Sequence, residues 1–257
     1  MTKRSLRCPF PVNHNPLFNI SFGTTMLAAA AAVAFSATGA MAQGGSVFVD
    51  SRSNIFGYGV STPQPGGGGG GLIAVTVHLT PGIGRFITFR NTGTAWWNST
   101  AGADGPDGGN FANSTNIPAV GPISGYAAPR SGHLVGLYLE AADPTGLPAP
   151  NSLFYPFAAS LTAPAFSPGL RQVFFIGDGL TGTGSGVTQT FTIPDTATRL
   201  VFGVADASNF NGLAGFYNDN RDGYTVNYNA IPSPSVAALL GLGGLMASRR
   251  RRVVTAV

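Results

Sequence analysis

The segment Arg199-Leu200-Val201-Phe202-Gly203-Val204 decides the fold, because it is a short apolar run rich in β-branched and aromatic residues. A run of this kind between turn-forming residues predicts a β-strand. The same character recurs along the body of the chain and predicts eight strands, at residues 46–49, 72–79, 85–91, 134–139, 172–176, 188–193, 199–204 and 224–229. No segment carries a sustained helical stripe with capping residues.

Eight short strands joined by long irregular connections favour an all-β fold in which each sheet buries one face against the other. We therefore expect a two-sheet, jelly-roll-like sandwich over residues 43–230. An N-terminal signal helix and a short C-terminal apolar helix are expected to flank it.

Residues 1–42 have the three parts of an export signal. A basic opening precedes an apolar run over 26–35, and Ala40-Met41-Ala42 supplies the small-x-small pattern that a signal peptidase accepts, so cleavage is expected before Gln43. The alternative is a buried helix of a cytosolic protein. A membrane span is not expected, because spanning takes ~20 apolar residues.

Residues 231–257 form the most specific segment of the sequence. A proline-containing motif, Pro232-Ser233-Pro234-Ser235, is followed by twelve mostly apolar residues at 236–247 and then by the basic run Arg249-Arg250-Arg251-Arg252. A helix of twelve residues is about 18 Å long, shorter than a ~30 Å hydrocarbon core, so the arginine stems must extend the span by snorkelling. The four arginines should keep this end cytoplasmic.

This order of motif, apolar segment and basic run resembles the PEP-CTERM sorting signal, which exosortase-type membrane proteases process in bacteria that also make extracellular polysaccharide. Pro232 and Pro234 match the two prolines of that motif and Ser235 its small residue, whereas Ser233 stands where the family has glutamate. The resemblance implies signal peptidase and an exosortase-like protease as partners, with extracellular polysaccharide as a further one. It also implies transient anchoring in the inner membrane, then residence at the cell surface, in the outer membrane or in the extracellular matrix. A plain C-terminal membrane anchor is the alternative.

Charge and cysteine content exclude two classes of protein. Residues 43–230 hold seven arginines, no lysine and ten carboxylates, a formal charge of −3. Nucleic-acid binding requires a basic patch on the folded domain, so no nucleic-acid partner is expected. The one cysteine, Cys8, lies in the signal segment, and a body without cysteine cannot be a disulfide scaffold.

Little in the sequence indicates catalysis. The body has two histidines, His78 and His133, and Gly182-Thr183-Gly184-Ser185-Gly186 only approaches a nucleophile elbow. Glu140 and Asp143 are the nearest paired carboxylates, and a turn beside Pro144 accounts for them more simply. We therefore expect a protein that is not an enzyme.

Three loops concentrate aspartate and asparagine, at 96–110, 206–209 and 217–223. Their oxygens suit a hard cation such as Ca²⁺, although turns are built from the same residues. The 217–223 segment fails the EF-hand spacing.

Of the adjacent Trp96 and Trp97, at most one can join the core, because neighbouring strand residues face opposite sides of a sheet. An exposed tryptophan beside acidic and amide groups suits a sugar. The alternative is that one of the two tryptophans lies in the core and the other covers a sheet edge.

The segments 200–206, 216–226 and 87–97 resemble the last two strands and the aromatic loop of the small calcium-dependent galactose-binding bacterial lectins. In that family the ion coordinates sugar hydroxyls directly. The resemblance implies calcium as cofactor, with Asp206, Asp219 and Asn220 as side-chain ligands and Trp97 near an aromatic whose carbonyl binds the ion. The loop at 207–217 is longer than in the family, and Asp219 replaces a more usual asparagine.

Two functions are consistent with these features. The first is a structural or adhesive component of the cell surface or extracellular matrix. The second is a calcium-dependent carbohydrate-binding module built around Asp206, Asp219 and Asn220.

Overall fold

The computed structural model describes residues 42–57, 70–98, 103–109 and 111–231. The predicted signal segment, apart from its last residue, lies outside them. So do the sorting motif Pro232–Ser235, the basic run at 249–252 and the helices predicted on either flank. Among the described residues, no helix is long and apolar enough to cross a membrane.

The described chain is mostly β-structure, as the sequence predicts, and each of the eight predicted segments contains a strand. In chain order the strands are β1 (Gln43–Asp50), β2 (Ser53–Asn54), β3 (Leu72–Ile73), β4 (Val75–His78), β5 (Phe86–Trp96), β6 (Asp107–Gly109), β7 (Thr115–Ile117), β8 (Tyr126–Ala128), β9 (Ser131–Leu139), β10 (Ala165–Phe166), β11 (Val173–Phe175), β12 (Leu180–Gly182), β13 (Ser185–Thr188), β14 (Thr190–Thr192), β15 (Arg199–Val204) and β16 (Arg221–Ile231). Helical structure in the described ranges consists of short 3₁₀ turns at Ile55–Gly57, Ala158–Thr162, Ser208–Phe210 and Tyr217–Asp219.

Two larger sheets organise these strands. One has the order β1-β16-β5-β14-β10. The other has the order β11-β9-β15-β2-β3, with β4 also paired to β15 and β6 to β9. Two small hairpin sheets, β12-β13 and β7-β8, complete the described structure.

The two larger sheets bury aromatic side chains against each other, which makes the fold sandwich-like. Phe89 of β5 lies edge-on to Phe202 of β15, with ring centroids 6.0 Å apart. Phe174 of β11 approaches Phe191 of β14, at 5.8 Å. All four side chains are fully buried. The jelly-roll connectivity expected from the sequence stays a prediction.

Strand β9 is buried along its whole length, on both faces. One face, which includes Leu134 and Tyr138, belongs to the core between the sheets. The other face packs in a second core, which also contains Tyr126 and Tyr155 from the segments that cover this sheet. A strand with two covered faces should be largely apolar, and from Leu134 to Leu139 this one carries apolar or aromatic side chains and one glycine.

Strand β16 fixes where the predicted site residues lie relative to the two ends of the described β-structure. It runs antiparallel between β1 and β5, with Ala230 opposite Gln43 and Gly223 opposite Asp50. The junctions with the predicted signal and sorting segments therefore lie at one end of β16. Its other end begins at Arg221, directly after Asp219 and Asn220.

Candidate functional site

The predicted site residues meet at the end of the molecule where β16 begins. Asp206 comes two residues after β15, and Asn220 comes directly before β16. Strand β5 ends at Trp96, which lies opposite Arg221 in the antiparallel β5–β16 pair. This pairing brings Trp97 to the same end as Asn220.

A depression of ≈ 120 Å³ opens at this end. Three of the four residues predicted from the lectin resemblance, Trp97, Asp206 and Asp219, line it. The other lining residues are Asn98, Phe111, Ala207, Ser208, Asn209, Phe210 and Phe216. The fourth predicted residue, Asn220, does not line the depression but hydrogen-bonds to Asp206.

Asp206 is a buried carboxylate, with 3% of its surface exposed. Its Oδ1 accepts a hydrogen bond from the backbone N–H of Ala207 at 2.7 Å, and its Oδ2 accepts one from Nδ2 of Asn220, also at 2.7 Å. Burial raises the pKa of Asp206 to about 7, and the nearby charge of Asp219 acts in the same direction. The two hydrogen bonds oppose this rise but are too weak to cancel it.

Asn220 is also buried, and its amide orientation is fixed by its acceptors. Nδ2 donates to the backbone carbonyl of Ser51 at 3.1 Å and to Asp206 Oδ2. The Oδ1 atom is buried and accepts no hydrogen bond from the described residues. A buried acceptor without a donor costs free energy, and a cation is one partner that would satisfy it.

The side-chain atoms that could bind a metal here are oxygens, which fit a hard cation better than a soft one. The described residues contain no group of three or more His, Cys, Asp or Glu side chains that could hold a metal. The carboxylates of Asp206 and Asp219 line the depression together, and Asp206 accepts a hydrogen bond from Asn220, whose Oδ1 has no donor. Ca²⁺ accepts amide and carbonyl oxygens together with carboxylates. Calcium binding at these residues stays a prediction.

The two tryptophans take opposite sides of the sheet, as their spacing predicts. Trp97 is 3% exposed, and its Nε1 donates to Asp104 Oδ2 at 2.8 Å. Trp96 is half-buried, with the Arg221 guanidinium carbon 5.6 Å from the centre of its ring. The Trp97 indole is thus a core group, so a sugar could not stack on its face.

The aromatic residues Phe111 and Phe216 were not among those predicted from the sequence. Each lines the depression and is 39% exposed. Sequence alone gives no signal for them, because an isolated phenylalanine in a loop is as consistent with a core contact as with an open surface.

Other residues weighed as catalytic groups occupy structural positions. Asp143 Oδ1 accepts a hydrogen bond from the backbone N–H of Thr145 at 2.9 Å, as the turn interpretation predicts. His133 is 2% exposed among aromatic rings, and burial lowers its pKa to about 3. Ser185 begins β13, in the β12–β13 hairpin.

The chain matched no protein-family model, no curated protein and no solved structure. Its function is therefore inferred from the residues and their geometry.

Proposed function

We propose that the protein is an exported, non-catalytic surface protein whose body is a displayed, adhesive β-sandwich of jelly-roll type. The order of signal segment, cysteine-free β body, proline motif, apolar segment and arginine run supports this proposal. The single observation that carries it is the 232–252 segment. Its proline motif, short apolar segment and arginine run together suit a membrane-bound processing enzyme, and this combination has no role in a soluble core.

Processing at the motif can be tested by the size and location of the product. In a host that has an exosortase, replacing both Pro232 and Pro234 by alanine should leave an uncleaved, membrane-held form. The full chain should instead appear as a shorter product outside the inner membrane. Ser233→Glu is the matched control, since it restores the glutamate of the related motif and should be processed at least as well. Equal processing of the double alanine variant would contradict the proposal.

A second function, calcium-dependent carbohydrate binding, is supported by the depression. Asp206 and Asp219 line it together, and Asn220, which hydrogen-bonds to Asp206 through Nδ2, has a buried Oδ1 without a donor. The ion would be held by these three side chains and would supply positive charge to coordinate sugar hydroxyls. The protein's own groups fix the positions of the ligand oxygens through the backbone N–H of Ala207 and the carbonyl of Ser51.

Asp219→Ala tests this second function, because Asp219 is exposed and its loss should cost little stability by itself. Calcium at a hundred times its dissociation constant would stabilise the native protein by about 2.7 kcal/mol. For a domain of this size that is a rise of roughly 5–10 °C in the unfolding midpoint. Asp219→Ala should abolish the rise, whereas the exposed Asp195→Ala should keep it. No rise in the unsubstituted protein would exclude the calcium site.

A further inference from the structure

The loop at 207–217, between Asp206 and the 3₁₀ turn before β16, contains strained backbone. Three of its non-glycine residues have positive φ: Asn209 at 49°, Phe210 at 57° and Phe216 at 70°. Asparagine adopts this region at little cost, but a bulky aromatic residue rarely does. Residues held in such conformations cluster at ligand-binding sites, where the surrounding structure enforces them.

Phe210 and Phe216 both have a strained positive φ, but they differ in how far their rings are buried. Phe210 is 1% exposed, and its ring lies edge-on to Trp97 with centroids 5.3 Å apart. Burial of that ring in the core accounts for its backbone conformation. Phe216 is 39% exposed, so core burial does not account for its conformation in the same way. Its backbone conformation instead places the side chain at the wall of the depression.

Phe111 provides a second half-exposed ring in the same depression. It is also 39% exposed and lies 6.1 Å from Phe210, whose buried ring supports it from behind. The depression therefore combines two aromatic rings with the carboxylates of Asp206 and Asp219. Asn98, Ser208 and Asn209 add amide and hydroxyl groups to the same lining.

This combination of groups matches the two kinds of surface on a sugar ring. A pyranose has an apolar C–H face that packs on an aromatic ring and a rim of hydroxyls that bind cations, amides and carboxylates. A purely apolar ligand would desolvate the carboxylates of Asp206 and Asp219 further without offering them a polar partner, and a free anion would be repelled by them.

We propose that Phe216, together with Phe111, forms a stacking wall that holds the apolar face of a single pyranose ring while its hydroxyls face Asp206 and Asp219. The proposal rests on the cation-dependent carbohydrate binding proposed above. The depression, at ≈ 120 Å³, is well below the roughly 300–1,000 Å³ of sites that enclose drug-sized ligands. It therefore has room for one sugar ring and not for several.

The test compares sugar binding and calcium binding in the same variants of the full chain. The probes are calcium alone and the methyl glycosides of galactose, glucose, mannose and N-acetylglucosamine, with affinities measured by calorimetry. Phe216→Gly removes the ring and suits the positive φ, so it should bind calcium as the unsubstituted protein does but bind the preferred glycoside about tenfold or more weakly. Phe216→Tyr keeps a ring and should retain glycoside binding.

Leu213→Ala is the matched control, because Leu213 is 79% exposed in the same loop and does not line the depression. It should leave both affinities unchanged. Glycoside binding that is calcium-dependent and equal in Phe216→Gly would overturn the stacking wall and leave the proposed function intact. Absence of calcium-dependent glycoside binding in the unsubstituted protein would overturn both. A trisaccharide ending in the preferred sugar should bind as tightly as the methyl glycoside, and much tighter binding would contradict the one-ring site.

Discussion

Asp206 carries the highest electrostatic cost of the candidate site, because its carboxylate is buried without an opposite charge. Burial raises its pKa from 3.8 to about 7. Each pKa unit is worth about 1.4 kcal/mol, so ionising this group costs the ion-free native state roughly 4 kcal/mol of stability. A bound cation would remove most of that cost by favouring the ionised form.

Stability in chelator should therefore fall as the pH rises. A carboxyl group whose pKa is higher in the folded than in the unfolded state gives its full stability below its unfolded pKa, near 3.8, and loses it as the pH rises through about 7. Between pH 4 and 7 the unsubstituted protein should lose up to roughly 4 kcal/mol relative to Asp206→Asn. Urea unfolding of both proteins across this pH range in chelator measures the difference.

The comparison is internally controlled, because burial also raises the pKa of Asp104 and Asp178, and both residues are present in the two proteins. In millimolar calcium the difference should shrink, since the ion binds the ionised carboxylate. Parallel stability curves in chelator would show that Asp206 does not titrate in this range.

For single residues, the sequence predicts which ones lie near each other better than it predicts which side chains point into the core. Alternation along a strand requires one of Trp96 and Trp97 to point inward. Which one it is depends on the register of β5 against β16 and on the contact of Trp97 with Gly132, whose added Cβ would lie 2.4 Å from the Trp97 ring. Such contacts join residues distant in sequence, so no local pattern shows them.

Among the elements, β15 is the strand on which the core depends most. It lies between β9 and β4 in its sheet, and five of its six residues are buried. Phe202 contacts the opposite sheet through Phe89, at 6.0 Å, and through Tyr228, at 6.1 Å.

Phe202→Ala should lower the free energy of unfolding by about 3–5 kcal/mol, because it removes buried apolar surface and leaves a cavity. Phe157→Ala is the matched control: Phe157 is 71% exposed, and its substitution should change stability by less than about 0.5 kcal/mol. Chemical denaturation of the two variants measures both values. A small loss in Phe202→Ala would mean that the two sheets do not depend on this contact.

The strands predicted from sequence and those missed differ in the apolar pattern of the sequence around them. The eight predicted segments have enough apolar or alternating residues to indicate a strand. The missed ones, such as β2 and β6, have two or three residues, and β6 includes two glycines. Pairing with a longer neighbour holds β2 and β6 in place, β2 beside β15 and β6 beside β9 through Asp107 opposite His133. Tertiary contact of this kind leaves no local pattern in the sequence.

For the molecule as a whole, the predicted signal and sorting segments differ in charge from the body. The basic residues that raise the overall charge to +4 are concentrated in the predicted signal and sorting segments, and the body itself has a formal charge of −3. A body of this charge favours cations and neutral sugars over nucleic acid. Both proposed functions are consistent with this charge.

The length of strand β16 also sets the distance between the predicted sorting segment and the depression. Ile231, its last residue, precedes the proline motif, and its first residue, Arg221, follows Asn220. Ten steps of about 3.3 Å separate the two ends by roughly 33 Å. If the tail holds the protein to a membrane, the depression would stand that far out from the tether and face the surroundings, where a neighbouring cell or a glycan chain could reach it without approaching the lipid.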